Sequence, residues 1–151
     1  MITEWILPIL WAALGALGFG FIFGTRGRKL LYTALGGGIT WLVYLACIKL
    51  DTGEYFAYAV AAAVGTLYSE IMARALRTPV TVFVITVNIP LIPGGSLYYS
   101  FLYLMENDTV HFIEKVRYTL GTAGAIALGI FVSTMLFKIV HEIKVLLSSK
   151  K

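Results

Sequence analysis

The sequence predicts an all-α, polytopic membrane protein, with residues 1–151 forming one integral bundle of five transmembrane helices. Three observations carry that expectation. Hydrophobic residues make up 59% of the chain and charged residues only 13%, where soluble domains carry roughly a quarter. Mean hydropathy is +0.85. Apolar runs recur at the length a bilayer core demands, about 20 residues in helical form, with short charged breaks between them.

Taken in order, residues 5–24 form the first run and carry no charge. Glu4 has the wrong sign for a signal-peptide n-region, the run is too long for an h-region, and the basic residues follow it, so a retained span is expected rather than a cleaved leader. Residues 30–50 carry only Lys49, at the end. Residues 55–73 carry only Glu70. Residues 80–105 and 118–137 are uncharged. Beyond Phe137 the last helix is expected to run on, with Lys138 and Glu142 four apart and His141 as a solvated residue near its end.

The breaks alternate in sign. Arg26, Arg28 and Lys29 occupy the first, and Arg74 and Arg77 the third. Asp51 and Glu54 occupy the second, and Glu106, Asp108 and Glu114 outweigh Lys115 and Arg117 in the fourth. The tail ends in Lys144, Lys150 and Lys151. Basic loops stay in the cytoplasm, which places the N-terminus outside and the C-terminus inside a cell inner membrane. His111 reads as a solvated residue of the acidic outer break.

Small residues mark every span. Gly15, Gly18, Gly20 and Gly24 lie in the first, where Gly20 and Gly24 form a G-x-x-x-G pair. Gly36, Gly37 and Gly38 follow in the second, Ala61, Ala62, Ala63 and Gly65 in the third, and Gly121, Gly124 and Gly129 in the fifth. Because lipid is as apolar as leucine, close backbone approach is what packs such helices.

The fourth span is too long and is interrupted. Val80 to Met105 would reach about 39 Å as a straight helix, against a hydrocarbon core of roughly 30 Å. Its middle reads NIPLIPGGS, Asn88 to Ser96. Pro90 and Pro93 each remove a donor and clash with the preceding turn, and Gly94 and Gly95 tolerate backbone angles that other residues avoid. The expectation is an unwound stretch from about 88 to 95 between two half-helices, with Ser96 as N-cap of the second. Non-helical backbone at membrane depth survives only where protein or a wet cavity meets it, and a half-helix N-terminus favours an anion. The candidate substrate-binding residues are therefore Asn88, Pro90, Pro93, Gly94, Gly95 and Ser96, with Tyr98 and Tyr99 behind them. Glu70 has Arg74 one turn on. The two form either a plain ion pair or a proton-coupling carboxyl with its modulator.

Other classes fit poorly. The net charge of +4 is scattered at segment ends rather than clustered for nucleic acid. One cysteine, Cys47, permits no internal disulfide or metal cluster, so no metal or other cofactor is expected. No H-E-x-x-H or G-x-S-x-G motif is present to support an intramembrane enzyme.

The run GTLYSEIMARALRTPVTVFVITVNIPLIPGGSLYY resembles the threonine/serine exporter family. In particular it is similar to the small five-span half that forms the C-terminal part of fused members or a separate YjjB-like subunit. The matching features are Ser69-Glu70, Ala73-Arg74, Pro79, and Pro90-Leu91-Ile92-Pro93-Gly94 with tyrosine downstream. The resemblance implies secondary export of threonine, serine or small carboxylates, driven by a proton gradient or the membrane potential. It also implies a larger YjjP-like membrane subunit as partner, with homo-oligomerisation as a further possibility. A non-transporting assembly subunit and a small channel are the alternatives.

Overall fold

The computed structural model describes residues 2–148, and within them the chain is an all-α bundle with no sheet. Lys150 and Lys151 of the expected tail lie outside the described residues, as do the side chains of His141 and Lys144. Six α-helices run in order: α1 (Ile2–Ile22), α2 (Arg28–Lys49), α3 (Glu54–Ala75), α4 (Val80–Asn88), α5 (Gly94–Met105) and α6 (Thr109–Ser148). A 3₁₀ turn, Ile89–Leu91, joins α4 to α5. Four helices are long and apolar enough to cross a membrane, and α4 with its turn forms a bent pair with α5 at 59°.

Helices α1, α2, α3 and α5 all end in the same way, which keeps the turns short. Gly24, Asp51, Arg77 and Asn107 take positive φ, and the next residue's N–H reaches back to Gly20, Cys47, Ala73 and Tyr103 respectively. This is the Schellman closure, which satisfies helix carbonyls that would otherwise be left open. Glycine at 24 thus ends a helix rather than lining one, which corrects the expected Gly20/Gly24 packing pair. Arg77 is the residue type least suited to this conformation of the four.

α3 is the centre of the bundle and the most enclosed of the long helices, half of its spanning window being buried. α2 and α4 pack on one side of it and α6 on the other, while α1 covers α2 and α5 lies against α6. Glycines set several of these approaches. A Cβ on Gly36 would fall 2.6 Å from both Tyr68 and Val87, one on Gly37 would strike Ala16, and one on Gly129 would strike the Ala59 carbonyl. By contrast Gly15, Gly18, Gly94, Gly95 and Gly124 face open space.

α3 and α6 run parallel. Tyr118 donates a hydrogen bond to Glu54, Gly121 sits on Tyr55, and Phe137 stacks under the Arg74 guanidinium at 4.5 Å. The bundle therefore has a basic end, with Arg26, Lys29 and Arg74, and an acidic end, with Asp51 and Glu54. α4 starts at the basic end, directly after the α3 turn. α5 finishes where the Tyr103 ring meets His111 of α6, 5.2 Å away, at the acidic end.

Two element boundaries differ from expectation. The break at 106–117 is mostly helix: α6 begins at Thr109 and continues for 40 residues. Asp108 caps it by accepting the His111 N–H at 3.2 Å. The charges then sit on a solvated helical extension of about 13 Å before Tyr118. The interruption of the fourth span is also narrower than 88–95. Asn88 is still α-helical and Gly94 already starts α5, so only Ile92 and Pro93 leave helical geometry altogether. Pro90 enters a 3₁₀ turn at an early position, where a missing N–H costs little. Gly94 and Gly95 are not at positive φ. The N-cap of α5 is Pro93, with no side-chain cap, so Ser96 lies inside the helix rather than capping it.

Candidate functional site

α2, α3 and α4 meet at Gly65. A Cβ there would fall on Thr40 Oγ1 and would lie 3.0 Å from Asn88 Oδ1 and 3.2 Å from Val87. The absence of a side chain at 65 is thus what lets an amide from α4 and a hydroxyl from α2 reach the same point. Around this notch the side chains of Thr40, Thr66, Ser69, Thr86 and Asn88 are all buried.

Three of the four hydroxyls donate to a carbonyl of their own helix. Thr40 donates to the Gly36 carbonyl at 2.9 Å, Ser69 to Gly65 at 2.7 Å, and Thr86 to Val82 at 2.7 Å. Such back-bonding one turn up the helix leaves the oxygen lone pairs free as acceptors. Asn88 uses its Nδ2 fully, donating to the Val84 carbonyl at 2.9 Å and to Thr66 Oγ1 at 3.3 Å. Its Oδ1 has no partner although the residue is only 4% exposed. A buried acceptor left unpaired costs about 1–3 kcal/mol, so the site carries a standing demand for a donor.

A complementary unpaired atom lies on α2. Pro90 lines an apolar cavity of about 270 Å³ together with Pro8, Trp11, Gly15, Trp41 and Ile89. Trp41 Nε1 is a buried donor with no acceptor. One orphan acceptor thus belongs to Asn88 and one orphan donor to a residue that shares a cavity with Ile89 and Pro90, shortly before the two fully non-helical residues of the fourth span. Trp41, Thr40, Gly65 and Thr66 were not singled out from sequence for this role. The signal available was the G-T pair in α3 and the T-W pair in α2, each at mid-span.

The remaining sequence candidates are not gathered with Asn88. Gly94, Gly95, Tyr98 and Tyr99 are exposed, the tyrosines 64% and 49%. Tyr98 and Tyr99 pack edge to face at 5.5 Å. Pro93 and Ser96 are partly buried. The first turn of α5 leaves its N–H groups without intrahelical acceptors, but no hydrogen bond joins it to Asn88. Glu70 is 7% exposed, and its Oε2 lies 3.7 Å from Arg74 Nη2. At that length the pair is loose, and Arg74 is nearly half exposed. Among the described residues no group of histidine, cysteine and acidic side chains is arranged to hold a metal ion.

Comparison with known proteins gives one match. A family model described as "Threonine/Serine exporter, ThrE" covers residues 8–136. No curated protein and no solved structure matches the chain.

Proposed function

The chain belongs to the threonine/serine exporter family, and on that premise we propose that it is a subunit of a secondary exporter for small zwitterionic or anionic metabolites, threonine and serine first among them. The observation that carries the reading is the unpartnered Asn88 Oδ1, buried beside the break. A hydroxy-amino acid brings an ammonium and a hydroxyl, both donors, and a carboxylate, an acceptor. Asn88 Oδ1 and Thr40 Oγ1 suit the former, and Trp41 Nε1 suits the latter. Broken helices at mid-membrane are where secondary transporters build such sites.

In this reading the bent pair crosses the bilayer once, since α4 begins at the basic end and α5 finishes at the acidic end. That makes five crossings, with the basic end in the cytoplasm by the positive-inside rule and the C-terminus inside an inner membrane. The exposed Gly94, Gly95, Tyr98 and Tyr99 form the face for the larger YjjP-like subunit or a second copy. Glu70 is the carboxyl available to couple protons, with Arg74 adjusting it.

The test is counterflow of labelled threonine and serine in proteoliposomes holding the complex from native membrane. Asn88→Ala and Trp41→Phe are expected to lower flux at least tenfold while the complex still purifies intact. Wild-type flux from both variants would remove the site. Non-saturating, ohmic current would replace the exporter with a channel. Glu70→Gln is expected to abolish the response to a pH gradient, and an unchanged response would free Glu70 of that role.

A further inference from the structure

At the basic end of the bundle the α1–α2 turn and the α3–α4 turn enclose a cavity of about 330 Å³. Its wall includes Thr25, Arg26 and Lys29 from the first turn and Thr78, Pro79 and Val82 from the second. Among the described residues Arg26 and Lys29 form no ion pair; of the acids toward this end, Glu70 faces Arg74 and Glu142 lies on α6 beyond Phe137. Two uncompensated cations on one concave surface call for an anion.

Further features point to the same kind of ligand. Thr25 is 5% exposed, and its hydroxyl has no hydrogen-bond partner. Its backbone N–H is already used to close α1 on Gly20, so the free group is the side chain. α2 and α4 both begin at this cavity, through Lys29 and Val82 in their first turns, and neither Gly27 nor Pro79 supplies a side-chain cap. Uncapped first-turn N–H groups carry the positive end of the helix dipole. The cavity wall also has an apolar part, made by Phe23, 48% exposed, and the partly buried Val82.

We propose that this cavity binds the phosphodiester headgroup of an anionic phospholipid, with Arg26 and Lys29 holding the phosphate oxygens, the Thr25 hydroxyl donating to one of them, and the acyl chains lying along Phe23 and Val82. A free phosphate shares the headgroup chemistry. The apolar part of the wall and the position at the end of the spanning helices favour the lipid. The site is separate from the notch at Gly65 and stands whether or not that notch carries substrate.

The full chain in detergent is the test material, and thermal stability and lipid retention in native mass spectrometry are the readouts. Phosphatidylglycerol is expected to stabilise the protein and to be retained over phosphatidylcholine. Each cation removed, Arg26→Ala or Lys29→Ala, is expected to weaken retention about fivefold. Thr25→Val, nearly isosteric, is expected to weaken it while leaving the lipid-free melting temperature unchanged, which keeps the test valid if a charge variant folds poorly. Lys49→Ala at the acidic end, where the ammonium lies over the Trp5 ring, serves as the control and is expected to leave the retention of phosphatidylglycerol unchanged. Equal retention of both lipids, or full retention by the Thr25 and Lys29 variants, would overturn the site. Stabilisation by inorganic phosphate equal to that by phosphatidylglycerol would overturn the assignment to lipid.

Discussion

The two sides of the break in the fourth span are opposites. On the α4 side, Phe83, Thr86, Val87 and Asn88 are all buried, and their neighbours leave no room for a single added carbon at Gly65 or Gly36. On the α5 side, Ile92, Gly94, Gly95, Tyr98 and Tyr99 are exposed, and both glycines face open space. One segment of sequence, continuous in character, is thus divided by Ile92–Pro93 into a half that finishes the interior and a half that offers a surface. Glycine means different things on the two sides. At 65 it makes room for polar atoms from two other helices. At 94 and 95 it packs against nothing within this chain.

Substitutions can break that contrast if it is wrong. The largest effect is expected from Gly65→Val, which forces the side chain onto Thr40 and Asn88. Overpacking of this kind costs about 1–3 kcal/mol, read as a fall in melting temperature and in the yield of folded protein. Gly94→Val is its counterpart and is expected to shift the stability of the isolated chain by less than about 0.5 kcal/mol. A comparable loss in both would mean that the α5 face is also packed within the chain. Next comes Thr66→Val, which removes one acceptor from Asn88 Nδ2 at a cost of about 1 kcal/mol. A double-mutant cycle with Asn88→Ala checks that the loss belongs to this bond.

Tyr99→Ala is expected to lower the melting temperature of the chain alone only slightly, through the lost ring contacts with Tyr98 and Tyr103, and to weaken co-purification of a partner subunit, which pull-down measures directly. The smallest effect concerns Asp108, far from the break. Hydrogen bonds from the His111 N–H and ring hold its carboxyl below the ordinary 3.8. A depressed carboxyl stabilises the fold above its unfolded pKa and loses that contribution as pH falls through the lower folded value. Asp108→Asn is therefore expected to lower stability slightly above about pH 4 and to lose that difference from wild type as the pH falls further, which flattens the acid limb of the profile. A difference from wild type that persisted undiminished at acid pH would contradict the cap.

Much of the architecture was legible because the bilayer sets a length that composition must meet. The long apolar helices and the bent pair follow from runs of uncharged residues, and the basic and acidic ends from where the charges fall. The start of α6 was not legible. Residues 109–117 carry Glu114, Lys115 and Arg117, which read as loop when charge is the only guide. A helix leaving the membrane can carry the same charges on its solvated turns. The width of the break was overread for a related reason: Pro90 and Gly94 disfavour helix in general, yet Pro is tolerated in a first turn, and Gly in an exposed one. Asn88 was visible as a polar residue in an apolar run. Its partners were not, because Thr40, Gly65 and Thr66 lie on other helices, and only folding brings them to it.

The placement of α5 has a mechanical consequence. It packs principally against α6, and it joins the rest of the bundle through Ile92 and Pro93. Swinging it outward would disturb one helix–helix seam and two backbone joints, leaving the contacts among α1, α2, α3 and α4 in place. Hinges of this kind concentrate a large displacement in a few torsions. The fourth span is in effect a post and an arm, and the arm is the part of this chain that can move at the least cost in broken contacts.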